Sequence, residues 1–236
     1  SAWIDELEIG TNFAPVVTIS SSYTSPTNAS PIPISISFSK DVTGFEQSDV
    51  TIGNGSISNF SGSGSSYSFD AVPVNDGVIT IDISEDVVQD DEGNGNLAAQ
   101  QYSITYDSNR PVPTVTSSEP SPTHNTSIAV EIDFSEPILN FAQEDIDIVN
   151  GSINSFSGAD TIFEVEIVPI SDGNVSVLIA EGVANDLAGN GNSASNTLNI
   201  YYDNLPPAIA IDAIEEIGTL ETISFSWQAS DSSTID

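Results

Sequence analysis

Basic residues are almost missing from this chain: it carries 2 Lys plus Arg against 35 Asp plus Glu in 236 residues, a formal net charge of −33 at pH 7. A protein that grips nucleic acid gains affinity by releasing counterions from phosphates with Lys and Arg, and only Lys40 and Arg110 are available for that. Nucleic acid is therefore excluded as a partner, and anionic membrane surfaces are unsuited for the same reason. Cysteine and methionine are absent, which removes disulfides, thiolate zinc sites and thiol nucleophiles. No run approaches the roughly 20 apolar residues that span a bilayer, so membrane insertion of this segment is not expected. The start at Ser1-Ala2-Trp3 lacks the charged and apolar regions of a secretory signal, so an export signal is expected outside this chain.

The single histidine, His124, faces Asn28 when the chain is aligned with itself as described below, so no shared catalytic triad is possible. The Gly-Asn-Gly-Asn segments at 93–96 and 189–192 do not follow a strand and open a helix, so they are not phosphate cradles. With 35 acids, chance carboxylate pairs are expected and a solvated face is their default reading. These absences point to a protein that is not an enzyme. What a field this negative does attract is cations, wherever several carboxylates converge.

The chain is repetitive. A shift of 96 residues, carrying Phe38 onto Phe134, aligns 15–110 with 111–206 without a gap, and roughly 40% of positions are identical. Phe45 falls on Phe141, Asn54-Gly55-Ser56-Ile57 on Asn150-Gly151-Ser152-Ile153, Phe60-Ser61-Gly62 on Phe156-Ser157-Gly158, and Asp76-Gly77 on Asp172-Gly173. This predicts two tandem domains, 14–110 and 111–206, preceded at 1–13 by the remnant of another β module and followed at 207–236 by the start of a third, truncated domain related to immunoglobulin or fibronectin type III modules.

Within each copy the periodicity is two. Ile32, Ile34, Ile36 and Phe38 alternate with Pro33, Ser35 and Ser37, as Ile128, Val130, Ile132 and Phe134 do in the second copy, the pattern of half-buried strands. Further strands are expected in the first copy at 16–20, 49–53, 56–61, 67–74, 78–84 and 101–107, separated by turns such as Asn75-Asp76-Gly77. The one helical candidate is 85–89. Seven short strands per copy predict an all-β fold of tandem immunoglobulin-like β-sandwiches with antiparallel, Greek-key strands. Phe38, Phe45, Phe60, Tyr67, Phe69 and Tyr106 are expected to fill the core.

The run Phe134-Ser135-Glu136-Pro137-Ile138, with Phe141, Asp145, Asn150-Gly151-Ser152-Ile153, Phe156-Ser157-Gly158, Pro169, Asp172-Gly173 and Asp186-Leu187-Ala188-Gly189-Asn190, resembles the bacterial Ig-like repeats found in tandem in large cell-surface adhesins. The architecture is also similar to that of giant gliding-motility adhesins of the Bacteroidetes. The resemblance implies a secreted, extracellular, non-enzymatic stalk whose neighbours are other modules of the same long chain and whose ligand is a surface or glycan. The first copy departs from it by placing Lys40-Asp41 where Glu136-Pro137 stands. A rival reading is an accessory region of a multimodular secreted enzyme acting on polysaccharide, and a carbohydrate-binding role for Trp3 or Trp227 is a third.

An up-and-down run of strands gathers 135–144, 180–194 and the incoming linker at one end of the second domain. Asp107 and the turn bearing Asp76 leave the first domain toward that place. Asp107, Glu136, Asp186, Asn190 and Asp76 are thus candidate oxygen ligands for an interdomain calcium ion, which takes six to eight oxygens at about 2.3–2.6 Å, much as cadherins stiffen their joints. Asp-x-x-Gly-Asn is equally good turn material, so plain solvated turns are the competing expectation.

Overall fold

The computed structural model describes residues 13–211 and 227–230. The chain forms two compact units, one of Ser1–Asn109 with Leu187–Asn190 and one of Arg110–Asp186 with Gly191–Asp236. Among the described residues no helix is long and apolar enough to cross a membrane.

The first unit contains β1 (Val17–Ser21), β2 (Ile32–Thr43), β3 (Val50–Gly53), β4 (Gly55–Pro73), β5 (Gly77–Ile83), β6 (Gln89–Asp90) and β7 (Tyr102–Tyr106). One sheet has the order β1-β2-β4, with β6 also on β2, and the other β3-β5-β7. All of these pairings are antiparallel. The apolar members of β2 turn inward: Ile32, Ile34, Ile36 and Phe38 are buried, and the intervening Pro33, Ser35 and Ser37 are exposed. The two inner faces meet over Ile79, Ile81 and Ile104 from the second sheet, which is how a sandwich removes both apolar faces from water.

The strands expected at 56–61 and 67–74 are the two arms of one hairpin, which spans Gly55–Pro73 with no irregular loop between them. The chain doubles back on itself. Asn59 Nδ2 donates to Asp70 Oδ2 at 2.8 Å and the Ser61 and Ser68 hydroxyls lie 3.4 Å apart, contacts that an uninterrupted straight strand cannot make. Gly62 and Gly64, at φ 140° and 62°, make the bend. The expected helical segment 85–89 is instead a turn running into the short strand β6, and the short helical turn of this copy lies at Gln47–Asp49. Asp and Asn in 85–96 prefer to bond their own backbone, which competes with helix.

The second unit repeats the plan with β8 (Pro113–Thr116), β9 (Ile128–Phe134), β10 (Ile138–Leu139), β11 (Ile146–Val149), β12 (Gly151–Ala159), β13 (Ile162–Pro169), β14 (Gly173–Ile179), β15 (Asn185–Asp186) and β16 (Leu198–Tyr202). Its sheets are β12-β13-β9-β8 and β11-β14-β16, with β10 paired to β15. The fold is therefore the all-β, antiparallel, immunoglobulin-like sandwich in tandem: four strands facing three, in the Greek-key order of that architecture. Beyond it, β17 (Ala208–Ile211) pairs antiparallel with β18 (Trp227–Ser230). Trp3 and residues 1–12 lie outside the described residues, as do the rest of the expected third module and the side chain of Trp227.

Both cores are built on the same aromatic quartet. Phe38, Phe45, Phe60 and Tyr67 pack with centroid separations of 4.9–6.1 Å, and Phe134, Phe141, Phe156 and Phe163 repeat it at 5.0–6.0 Å. Most pairs are edge-to-face, the arrangement that the ring quadrupole favours, worth about 0.5–1.5 kcal/mol per pair beyond burial. Phe69 is also buried and Tyr106 packs at the margin of the core, so the expected aromatic filling is present without a disulfide.

Candidate functional site

Within the second unit the incoming chain, the segment after β9 and the long loop after β14 converge. Val112 N donates to Ser135 Oγ at 2.9 Å and Ser135 N returns a bond to the Val112 carbonyl. Ser193 N donates to the Pro111 carbonyl, and the pairing of Ile138 with Asp186 ties the two loops together. Glu136 and Asp186 are brought close by this arrangement, with carboxylate oxygens within 4.8 Å of one another. Asp186 is buried and Glu136 half-buried. Like charges at this distance repel by about 3 kcal/mol at the effective dielectric of a protein surface, so a cation placed against both is favoured.

The other three candidates lie in the first unit. Asp76 Oδ1 accepts from Ser108 N at 2.7 Å and Ser108 Oγ at 2.8 Å, which ties the outgoing linker to the turn before β5. Asp172 does the same for Asn204 N in the second unit. Asp107 Oδ1 accepts from Asn109 N and Nδ2. Asn190 is buried, and its Nδ2 donates to the Asp107 carbonyl at 2.9 Å. Asp76 and Asp107 thus have local structural work of the kind short polar side chains do in turns.

The first unit shows what stands at the place equivalent to the Glu136–Asp186 pair. Asp90 takes the position of Asp186, 96 residues earlier, and Lys40 that of Glu136. Lys40 Nζ lies 2.9 Å from Asp90 Oδ2 and 3.1 Å from Glu92 Oε2. Asp90 also accepts from Asn94 N, Asn94 Nδ2 and Glu92 N. The Asn94 amide first, and then the Lys40 ammonium, hold its carboxyl well below the ordinary carboxylate range. The bonds to Asp90 and Glu92 hold the Lys40 ammonium above its ordinary value. One geometry therefore carries a built-in ammonium in the first copy and a second carboxylate in the next.

Two residues that sequence reasoning passed over as turn material organise these loops. Asn96 is buried; its Oδ1 accepts from Val87 N and Val88 N at 3.0 and 3.1 Å, and its Nδ2 donates to the Ser84 and Leu97 carbonyls at 2.8 and 2.9 Å. Asn192 repeats this with Ala184 N and the Ala180 and Ser193 carbonyls. The signal was present in the recurrence of the second Asn of Gly-Asn-Gly-Asn, but a surface turn and a buried amide clamp share that pattern.

A shallow groove of about 650 Å³ lies on the outer face of the β12-β13-β9-β8 sheet, lined by Glu131, Glu164 and Glu166 among serines. Glu131 and Glu164 stand directly opposite one another across the strands. Ser127 and Asn154 donate to Glu166, and the Ser127 hydroxyl first and then the Asn154 amide lower its carboxyl below the ordinary range.

The sequence pattern of the bacterial Ig-like domain matches residues 11–106 and again 107–202. No curated protein matches the chain. Among solved structures, invasin, a bacterial integrin-binding protein, is similar at 8% identity with a TM-score of 0.33, over 84% of this chain and 42% of its own. The adhesin InvE of Yersinia pseudotuberculosis is similar at 11% identity with a TM-score of 0.28, over 80% of this chain and 58% of its own. The chain thus spans less than two thirds of the length of either.

Proposed function

Because the chain belongs to the bacterial Ig-like domain family, we propose that it serves as a structural spacer, a run of tandem sandwiches in the stalk of a large secreted cell-surface adhesin, with no catalytic role. The observation that carries this reading is where the repeated residues go. Between the two copies, what recurs builds scaffold: the aromatic quartet, the serines that fix the incoming chain, the asparagine clamps and the aspartates that brace the outgoing chain. The net charge of −33 keeps neighbouring copies soluble and mutually repelled. Labelling of intact cells with an antibody to this segment tests the reading: accessible epitope removed by external protease supports it, and epitope found only after lysis overturns it.

We further propose that a calcium ion is held in the second unit against Glu136 and Asp186. Support comes from the first unit, where Lys40 supplies the positive charge at the equivalent place; the second unit, with Glu136 there, would draw its cation from solvent. Carboxylates and amides suit calcium, which tolerates irregular oxygen shells. A ligand bound only to the folded form must stabilise it. Calorimetry in EDTA and in millimolar calcium should raise the transition of the second unit, and identical curves would remove calcium while leaving the spacer role intact.

A further inference from the structure

We infer that the second sandwich carries a docking edge for an extended, lysine- or arginine-bearing segment of another protein, which adds as a further strand beside β12 and sets its basic side chains against Glu164 and Glu166. β12 is the last strand of its sheet, and among the described residues its backbone bonds only to β13. Sheet edges are ordinarily guarded by charge or proline, because their unpaired N–H and C=O groups accept a further strand. Gly151–Ala159 holds neither, in a chain with 35 acids. The bulge between Ile153 and Ser155 breaks the register of its first part, and from Ser155 to Ala159 it then runs regularly beside the stretch from Glu166 back to Ile162. That regular stretch is the usable edge.

The outer face beside this edge is acidic. Across the strands Ser157, Glu164, Glu131 and Thr116 stand in one row, and Ser155 and Glu166 in the next; all of them line the groove of about 650 Å³. Like charges directly opposite one another on a sheet are destabilising, so the Glu131–Glu164 pair works against the fold. No basic residue offsets it: Lys40 belongs to the first unit, and Arg110 is bonded to Glu181 and to the Gly191 and Asn192 carbonyls. The repeat shows that the sandwich does not need these acids. Ser35, Ser68 and Asp70 stand 96 residues before Glu131, Glu164 and Glu166, and Ser35 and Ser68 pair across β2 and β4 as the two glutamates do across β9 and β13. Countercharge for the second unit's face therefore comes from outside, and the free edge indicates its form. A strand added there lies two inter-strand spacings, about 9.6 Å, from β13, with every other side chain on the outer face. A Lys or Arg at those positions reaches over the short Ser155 and Ser157 towards Glu166 and Glu164. Main-chain bonds at the edge give affinity, and the glutamates select basic side chains. The inference adds to the spacer role and does not depend on it.

Titration of the full chain at low salt with a short peptide of alternating Lys and Thr, followed through the backbone amides by NMR, tests this. The amides from Ser155 to Ala159 should shift, and those of the equivalent first-unit segment, 59–63, should not. E131S/E164S, which installs the serines of the first unit, should weaken binding about tenfold. E144S/D147S, which removes two exposed acids from outside this face, should leave binding unchanged. The same peptide N-methylated along its backbone keeps its charge but cannot complete the edge bonds, so it should bind about tenfold more weakly than the parent peptide. If E131S/E164S does not fold, the comparison of the two peptides on the parent chain still decides. An absence of shifts from Ser155 to Ala159 overturns the docking edge. Equal binding of the N-methylated peptide, or equal weakening by the two double variants, also overturns it, since either means only that a polycation adheres to a negative protein. Surface labelling, which tests the spacer role, is independent of all these results.

Discussion

Replacing Asn96 by alanine removes a buried amide that four backbone groups depend on: Val87 N, Val88 N and the Ser84 and Leu97 carbonyls. At about 1 kcal/mol net per hydrogen bond, and more where the partner stays buried without a replacement, the loss is about 3–5 kcal/mol. That is a large fraction of the roughly 5–15 kcal/mol that holds a domain of this size together. For a unit of about 100 residues it corresponds to a fall in midpoint of about 15–30 °C. Calorimetry of the full chain should show the transition of the first unit falling by this amount while that of the second stays in place, because Asn192 makes its own bonds independently. Asn96→Asp sharpens the test. A carboxylate there can still accept from the two amides but faces the two carbonyls, so burial and repulsion raise its pKa in the folded state. A raised carboxylate pKa means that stability relative to the parent chain recovers as pH falls toward about 4 and is lost as pH rises. A loss below about 1 kcal/mol for Asn96→Ala, or no pH dependence for Asn96→Asp, would refute the view that this amide holds the loop bearing Asp90.

Lys40→Met should weaken the first unit through its link to Asp90. The Asp90 carboxyl is held below its ordinary value of 3.8, so its contribution is complete above that value and is lost as pH falls through the folded one. The Lys40 ammonium is held above 10.5, so its share is complete below 10.5 and is lost as pH rises through its folded value. Urea midpoints across this range should show a smaller acid-side loss in Lys40→Met, with part retained through Asn94; an unchanged profile counts against the coupling. Glu136→Lys should build in the second unit the pair that the first already has, raising its midpoint in EDTA and abolishing any response to calcium. Gly158→Ala should cost about 3 kcal/mol, because at φ 126° a Cβ would collide with the Ile162 carbonyl and the Phe163 backbone. Gly182→Ala, at φ 76° in open space, should cost about 1 kcal/mol; equal costs in urea melts would contradict the steric argument.

The repeat and the alternation of Ile32, Ile34, Ile36 and Phe38 settled the fold class from sequence alone, because a period of two admits only a half-buried strand. The aromatic quartet was legible for a related reason: Phe38, Phe45, Phe60 and Tyr67 are each followed 96 residues later by another aromatic, and large apolar residues kept at matching places belong to a core. The hairpin inside Gly55–Pro73 was less legible, since Gly-Ser-Gly-Ser-Ser specifies flexibility without saying where the strand ends. Sequence reports the charge of Asp76 and Asp107, and only the structure shows that Ser108 and the Asn109 amides donate to them. Tertiary structure alone decided that Asp90 meets Lys40 across 50 residues, that Asn96 and Asn192 are buried clamps, and that Glu131 stands opposite Glu164. Those partners are distant in sequence, and their positions depend on how two sheets close over one core, which no local pattern encodes.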